Sequence, residues 1–232
     1  MTGTADDNRS ADETKRMLAL IGEAISEWSF VELTLCNIFT VCVTSCPTKA
    51  GPDGYVTMID SQVPTAIFYS VENFRSKLGM VEAALFARIS ERDAWAEDIR
   101  TEWGRLKEKV RKLSLRRNKL AHWTVTPAQY DEDIRIPAKL MPPYGSPGWY
   151  SETSSRPPGN HLDPKQVDEI VRAFSQIDEK LRAFYRSLAR HPQLTEKYDV
   201  LCAQLVEAHR RLDPDRGARL DGKLNTLRQA DP

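Results

Sequence analysis

The sequence predicts an all-α protein built as a helical bundle. Over several long stretches of its 232 residues, apolar residues recur in steps of three and four, the spacing of one buried helix face. The apolar and polar alternation typical of strands is not convincing outside one proline-rich segment. A chain of this length favours one main domain with appendages over two full domains.

The first helix is predicted to begin between Ala11 and Thr14 and to end near Cys46, where prolines and glycines follow. Residues 1–12 are polar and rich in acids, so we expect them to be disordered. Two interpretations of the buried stripe stay open, one that includes a glutamate and one that avoids it. They run through Leu18, Ile21, Ile25, Trp28, Glu32, Leu35, Phe39 and Cys42, or through Ala24, Trp28, Val31, Leu35, Ile38 and Cys42.

Two further helices are predicted in the middle of the chain. One runs from Ser61 or Thr65 to Ser90, and the next from Arg92 to Trp123, with a break near Ala94 or Gly104 as an alternative. The first has Ile67, Val71, Phe74, Leu78, Val81 and Leu85 in step. The second has Ile99, Trp103, Leu106, Val110 and Leu113 in step.

A long proline-rich segment separates these helices from the last core helix. Residues 124–162 contain seven prolines, a density that excludes a helix, although short strands are expected around Asp133 to Lys139. Asp163, Pro164 and Gln166 then have the pattern of a capped helix start. This helix is predicted to reach His191, and the apolar residues in step along it are Val167, Ile170, Val171, Phe174, Ile177, Leu181, Phe184, Tyr185 and Leu188.

The predicted domain organisation follows from these elements. Residues 1–12 form the disordered start, and residues 13–191 form the helical domain, with residues 124–162 as a loop insertion. Residues 192–232 form a C-terminal helical hairpin that packs on the bundle or on a second copy.

Composition excludes several classes of protein. Thirty-three basic residues balance 33 acidic ones, so the net charge of zero does not indicate a nucleic-acid binder. No apolar run approaches the roughly 18 to 20 residues of a membrane span, and the polar start has no signal-peptide core, so we expect a cytoplasmic protein without membrane contact. No zinc-ligand spacing or phosphate-binding glycine loop is present, so neither metal nor cofactor is expected.

The four cysteines also lack the spacing of a metal or redox site. Cys42 and Cys46 could share one helix face. We interpret all four, including Cys36 and Cys202, as small buried hydrophobic residues.

Arg117 and His122 are the strongest candidates for chemistry. If the stripe of the third predicted helix continues, the next positions are Arg117 and Leu120, so an arginine stands where an apolar residue is expected. Arginine is rarely buried without a partner, and such a violation of a local pattern indicates a function or a specific pairing. An always-charged guanidinium and an imidazole that titrates near neutral pH can cleave a phosphodiester without a metal.

Arg117 could instead serve structure. Glu32 also interrupts an apolar stripe, and two opposite charges at such positions suggest a buried ion pair. A pair with Glu27 is the other structural alternative. For His122, the structural alternative is a histidine that closes a helix end, where its charge suits the helix dipole.

A basic segment leads into the motif. Between residues 105 and 119 only Glu108 opposes eight cations, which indicates either a solvated helix face or a phosphate-binding surface. On the second interpretation, Lys112, Arg116 and Lys119 are the candidate substrate-binding residues.

Helix geometry favours two copies of the chain. At about 100° per residue, Arg117 and His122 point roughly 140° apart on a regular helix. A symmetric homodimer would let each protomer supply an arginine and a histidine to one shared cleft.

RNA is the substrate that suits these groups. Cleavage requires a base for the 2′-hydroxyl, an acid for the leaving oxygen and positive charge on the phosphate. His122 can transfer the protons, Arg117 can hold the phosphate, and Asn118 can orient the imidazole or the ribose. DNA lacks the 2′-hydroxyl and would be spared.

The run from Arg117 to His122 resembles the Arg, polar residue, three variable residues, His signature of the HEPN superfamily (higher eukaryotes and prokaryotes nucleotide-binding). The helical layout and a first helix with Trp28 and Glu32 are similar as well, so the resemblance covers about residues 18 to 188. It implies a HEPN-like dimeric bundle, often a metal-independent endoribonuclease of toxin–antitoxin pairs or antiviral defence, with Arg117, Asn118 and His122 in the active site. Many toxin members have a tyrosine two positions after the histidine. Here Thr124 stands there, which puts regulation through that tyrosine in doubt.

Two other functions remain open. The chain could be a catalytically silent HEPN-like module that dimerises and binds a nucleotide or a protein. It could also be a helical accessory protein of a larger defence complex that depends on a neighbouring gene product. An antitoxin that holds the enzyme off, or a defence-complex component, is a possible partner.

Overall fold

The computed structural model describes residues 3–44, 49–50, 56–57, 62–89, 95–131, 134–143 and 161–190. Most of these residues are helical, so the all-α prediction is confirmed. The helices are α1 (Gly3–Val43), α2 (Gln62–Ser70), α3 (Phe74–Arg88), α4 (Ala96–His122) and α5 (Pro164–Ala189).

The core lies mainly between α1 and α5, which run parallel. Trp28 of α1 packs against Phe174 of α5 with 5.0 Å between ring centroids, and further along both helices the Thr34 hydroxyl donates to Asp178 at 2.6 Å. α3 covers another side of α1, where the ring of Phe74 lies 4.9 Å from that of Trp28. Trp28 therefore joins three helices.

Of the two interpretations of the α1 stripe, the structure confirms the one that avoids Glu32. Ala24, Val31, Leu35 and Ile38 are fully buried, whereas Leu18 is 54% exposed. The stripes predicted for α4 and α5 are buried as well. Their fully or nearly buried members are Ile99, Trp103, Leu106, Val110, Val167, Ile170, Val171, Phe174, Ile177, Leu181, Phe184 and Leu188.

Helix α1 begins earlier than predicted. It starts at Gly3, so residues 3–12, expected to be disordered, belong to the helix. Tertiary contacts explain the difference, because the Ser10 hydroxyl donates to the carbonyl of Ala128 and the guanidinium of Arg9 lies 5.3 Å from the Tyr130 ring centroid. A polar segment can thus be held in a helix by partners distant in sequence.

The helix predicted from residue 61 or 65 to residue 90 is two helices. α2 ends at Ser70, and α3 begins after Asn73, whose side chain accepts from the backbone N–H groups of Arg75 and Ser76 at 2.9 and 3.3 Å. The N-cap satisfies backbone donors at a new helix start and so stabilises the interruption. α4, in contrast, continues through Gly104 without the break considered there.

The proline-rich segment begins with two nested antiparallel strand pairs. The strands predicted around residues 133 to 139 are confirmed and extend over a longer range. β3 (Thr124–Thr126) pairs with β6 (Lys139–Met141), and β4 (Gln129–Asp131) with β5 (Ile134–Ile136). Another short antiparallel pair follows α1. It consists of β1 (Lys49–Ala50) and β2 (Val56–Thr57).

The nested strands are attached to the start of α1. The Thr14 hydroxyl accepts from the Ala128 N–H at 3.1 Å, and Glu13 accepts from the Ala138 N–H at 3.2 Å and from the Tyr130 hydroxyl. Because β3 follows α4 directly, these bonds connect the C-terminal end of α4 to the N-terminal part of α1.

The predicted start of α5 is confirmed. Asp163 caps the helix, with its carboxylate accepting from the Gln166 N–H at 2.7 Å and the Gln166 side chain accepting from the Asp163 N–H at 2.9 Å. The predicted hairpin at 192–232 lies outside the described residues. Among the residues that the structure describes, no helix combines the length and apolar composition required of a membrane span.

Candidate functional site

The three motif residues lie in the last two turns of α4. Asn118 and His122 are exposed, and Arg117 is half-buried. The helix stays regular up to His122 and is closed by the Trp123 N–H, which donates to the Lys119 carbonyl at 2.9 Å. Arg117 and His122 therefore keep their angular separation of roughly 140° about the axis.

The guanidinium of Arg117 is incompletely satisfied. Its Nη1 donates to Asn118 Oδ1 over a long 3.5 Å, and its Nε is buried without a hydrogen-bond partner within the described ranges. A buried donor without an acceptor costs about 1 to 3 kcal/mol. The site can thus gain stability when an anion or another acceptor approaches this group.

Glu32 is not the partner of Arg117, which corrects the pairing considered from the sequence. Glu32 Oε2 lies 2.8 Å from Lys77 Nζ, and Glu32 Oε1 accepts from Trp28 Nε1 at 2.9 Å. α3 supplies the counterion because it packs on α1 beside Trp28. Glu27 makes no bond to Arg117 in the described part of the chain either.

Part of the basic segment is a solvated, ion-paired helix face. Lys107 binds Glu82 at 2.6 Å, while Glu108 binds Arg111 at 2.8 Å and Lys112 at 3.5 Å. The hydrogen bond from Arg111 lowers the pKa of the Glu108 carboxyl to about 2, so this residue remains charged at neutral pH. The structural alternative accounts for Lys107 and Arg111, whereas Lys112 lies 3.5 Å from a carboxylate that already binds Arg111 and is only weakly paired.

Other cations of the segment stay available. Arg105, Lys109 and Arg116 are exposed and make no ion pair within the residues described. Lys119 Nζ lies 4.9 Å from the centroid of the Trp123 ring, a cation–π contact next to His122. Arg116 and Lys119 therefore flank the motif, and Lys112, Arg116 and Lys119 remain candidates for substrate binding.

Leu115 is a residue of this site that sequence reasoning missed. It is 58% exposed and stands three and seven positions before Asn118 and His122, so the three share one face of α4. The signal was present in the sequence, since Leu115 is an apolar residue off the buried stripe of α4. Single exposed apolar side chains are common on protein surfaces, so Leu115 is of interest because it lies on the same face as Asn118 and His122.

The two cysteines with described side chains are buried, as predicted. Burial raises the pKa of the Cys36 thiol and raises that of Cys42 to about 12, so both are neutral near pH 7. Within the described ranges no group of three or more metal-ligating side chains comes together. Cys46, Cys202 and the loop aromatics Trp149 and Tyr150 lie outside those ranges.

The resemblance to the HEPN superfamily rests on the run 117–122, on its place at the end of a long helix and on the helical layout. Comparison of the chain with protein-family models, with curated proteins and with solved structures finds no match.

Proposed function

We propose that this protein is a metal-independent endoribonuclease of HEPN type that acts as a homodimer in the cytoplasm, as a toxin or an antiviral-defence effector. One observation carries the proposal. At the end of α4, a half-buried guanidinium with an unpaired buried Nε lies within two turns of an exposed imidazole. An unsatisfied cation and an accessible proton carrier are the two groups that metal-free phosphodiester cleavage requires.

The chemistry follows from these groups. His122 removes the proton of the 2′-hydroxyl, and the resulting oxygen attacks phosphorus while Arg117 binds the non-bridging oxygens. The bond to the 5′-oxygen breaks, and that oxygen takes a proton from an imidazolium. The products are a 2′,3′-cyclic phosphate and a 5′-hydroxyl, so neither oxidant, metal nor external nucleophile is consumed.

Two imidazoles serve this reaction better than one, because a base and an acid are needed on opposite sides of the phosphate. A two-fold contact through the α4 face that carries Leu115, Asn118 and His122 would bring two copies of each group into one cleft. Arg117 and His122 of one helix point in different directions, but in such a dimer an arginine of one protomer could meet a histidine of the other. The exposure of Leu115 supports this face as the contact.

The test is cleavage of total RNA by wild type and by His122→Ala in the presence of a chelator. We expect wild type to cut and to leave cyclic phosphate ends, and the variant to lose about 10²- to 10⁴-fold in rate, the usual contribution of acid–base catalysis. Helicity should not change, because His122 is exposed and does not belong to the core. Because His122 lies on the proposed contact face, the oligomeric mass of the variant is measured as well, so that loss of the dimer is distinguished from loss of the imidazole. Strict dependence on magnesium, or equal cleavage by the variant, would contradict the proposal.

One observation favours a second candidate, a catalytically silent module that dimerises or binds a nucleotide or protein. His122 is the last residue of α4, with Lys119 one turn before it, and cations at a helix C-terminus stabilise the helix by about 0.3 to 1 kcal/mol. Such a module has no cleavage to lose, and Arg117→Ala would mainly lower its stability. Cleavage that appears only with an added defence-complex component would instead assign the chain an accessory role.

A further inference from the structure

A groove lies between α4 and α5, about one helical turn before Arg117 on α4. Its volume is about 280 Å³, just below the range of about 300 to 1,000 Å³ that is usual for small-molecule sites. Its floor consists of Leu113, Ala173 and Ile177, and three lysines, 109, 112 and 180, line it together with Gln176. The groove thus combines an apolar floor with a strongly basic rim.

The groove leads toward Arg117. α4 and α5 run antiparallel, since Trp103 stacks on Phe184 at 5.9 Å while Leu113 shares the groove with Ala173 and Ile177. Arg117 is four residues beyond Leu113, which places it about 6 Å further along α4 and about 40° around the axis. A ligand that enters the groove and continues along α4 therefore reaches the guanidinium.

The rim charges are only weakly compensated. None of the seven residues that line the groove is acidic. Lys112 shares Glu108 with Arg111, at 3.5 Å, whereas Lys109 and Lys180 are exposed and make no ion pair within the described residues. Like charges that two helices bring together repel each other, so an anionic ligand would reduce the electrostatic repulsion among these lysines.

We propose that this groove binds single-stranded RNA beside the cleavage site, an inference that rests on the proposed nuclease function. Lys109, Lys112 and Lys180 bind successive phosphates, and the floor of Leu113, Ala173 and Ile177 receives a base or ribose. RNA fits because each nucleotide presents a charge and a flat apolar face together, the two properties that the groove combines. The bound strand then passes the scissile phosphate to Arg117.

The experiment measures binding of a labelled single-stranded RNA of about 12 nucleotides, a length within the usual range of single-strand sites. The full chain carries His122→Ala so that the RNA stays intact. The groove variant adds Lys109→Gln and Lys180→Gln. The matched control adds Arg75→Gln and Arg186→Gln, which removes the same charge from exposed positions on α3 and on the side of α5 opposite Ile177.

We expect the groove variant to bind more weakly and with a smaller salt dependence. For single strands, each phosphate contact contributes about 0.7 to the slope of log affinity against log salt, so two lost contacts should lower the slope by about 1.4. When the salt concentration falls from 1 M to 0.1 M, the affinity of the groove variant should therefore rise about 25-fold less than that of its parent. The control should keep the slope of its parent, and Lys109→Arg with Lys180→Arg should keep it as well.

Equal slopes in the groove variant and the control would overturn the proposal, as would a parent that binds no RNA. A polyglutamate peptide that binds more tightly than RNA of equal charge would assign the groove to a protein partner and would also overturn it. A single-stranded DNA arm shows whether binding depends on phosphate alone.

Cleavage assays separate the two proposals. They use proteins that keep His122, one with the native lysines and one with Lys109→Gln and Lys180→Gln. If RNA binds through the lysines but is never cut, the nuclease proposal fails and only RNA binding by the groove remains. If RNA is cut equally well with and without the lysines, the groove proposal alone fails.

Discussion

At the scale of single residues, two charged side chains in apolar surroundings differ in how well their hydrogen-bond donors are satisfied. Lys77 is buried, bound to Glu32 at 2.8 Å, and its ammonium lies 5.2 Å from the ring centroids of both Phe68 and Tyr69. Arg117 is half-buried and lacks a partner for its Nε among the residues described. The first charge is satisfied within the fold, so the second is the one that invites a ligand.

Replacing Lys77 by methionine should destabilise the fold by about 3 kcal/mol, because the change leaves Glu32 largely buried without its counterion. The matched control is Lys107→Met. Its pair with Glu82 is about one third exposed on both sides and should contribute less than about 1 kcal/mol. Chemical denaturation followed by circular dichroism measures both, and equal losses would show that the Lys77–Glu32 pair is no more important than the exposed pair.

The sequence revealed the anomaly at Glu32 but not its partner. Periodicity shows which face of one helix is buried, and it contains no information on which helix lies opposite. Lys77 precedes Leu78 on α3, where its side chain reaches the buried region through a long aliphatic stem. A residue of this kind looks like an ordinary solvated lysine in the sequence.

At the scale of elements, the interruption between α2 and α3 depends on one side chain. Asn73→Ala removes the acceptor of two backbone N–H groups and should cost about 1 kcal/mol, the usual contribution of an N-cap. Asn73→Asp keeps the acceptor and should leave stability almost unchanged. Thermal or chemical unfolding of the two variants distinguishes them, and an alanine variant as stable as wild type would show that packing alone fixes the start of α3.

Helices with strong apolar stripes and caps were predicted well, and those whose limits depend on tertiary contacts were not. α5 has both a stripe and a capping box, and its start was placed correctly. The early start of α1 at Gly3 depends on Ala128 and Tyr130, more than a hundred residues away. No local rule could have identified those partners.

At the scale of the whole molecule, the proposed cleavage mechanism takes its second imidazole from a second copy of the chain. Leu115→Glu should prevent association, because a charge would be buried at the centre of the α4 contact face, and should reduce RNA cleavage at concentrations where wild type is dimeric. Its helicity should stay that of wild type since Leu115 is 58% exposed. Leu33→Glu, at an α1 position that is 45% exposed, is the control and should leave the dimer intact.

Sedimentation and the chelator-resistant cleavage assay measure the two properties of these variants. If the Leu115→Glu protein remains dimeric, the dimer contact lies on a surface other than this face of α4. A monomeric variant that still cleaves would show that one protomer suffices.

The candidate site was predictable in its residues and not in its surroundings. The spacing of Arg117, Asn118 and His122 on α4 could be derived from the sequence because all three belong to one regular helix. The groove with Lys180 could not, since it forms only where α5 lies antiparallel beside α4. Whether a basic residue faces an acid, a ring or an open groove is decided between elements.

The pairing of α1 with α5 has a consequence for biosynthesis. The bond between Thr34 and Asp178 joins residues 144 positions apart, so the part of the apolar face of α1 that packs on α5 has no cover until the last core helix leaves the ribosome. At about 5 to 20 residues per second this delay is roughly 7 to 30 s. During that time the nascent chain exposes apolar side chains of α1 to solvent. We therefore expect it to bind chaperones that act on emerging polypeptides.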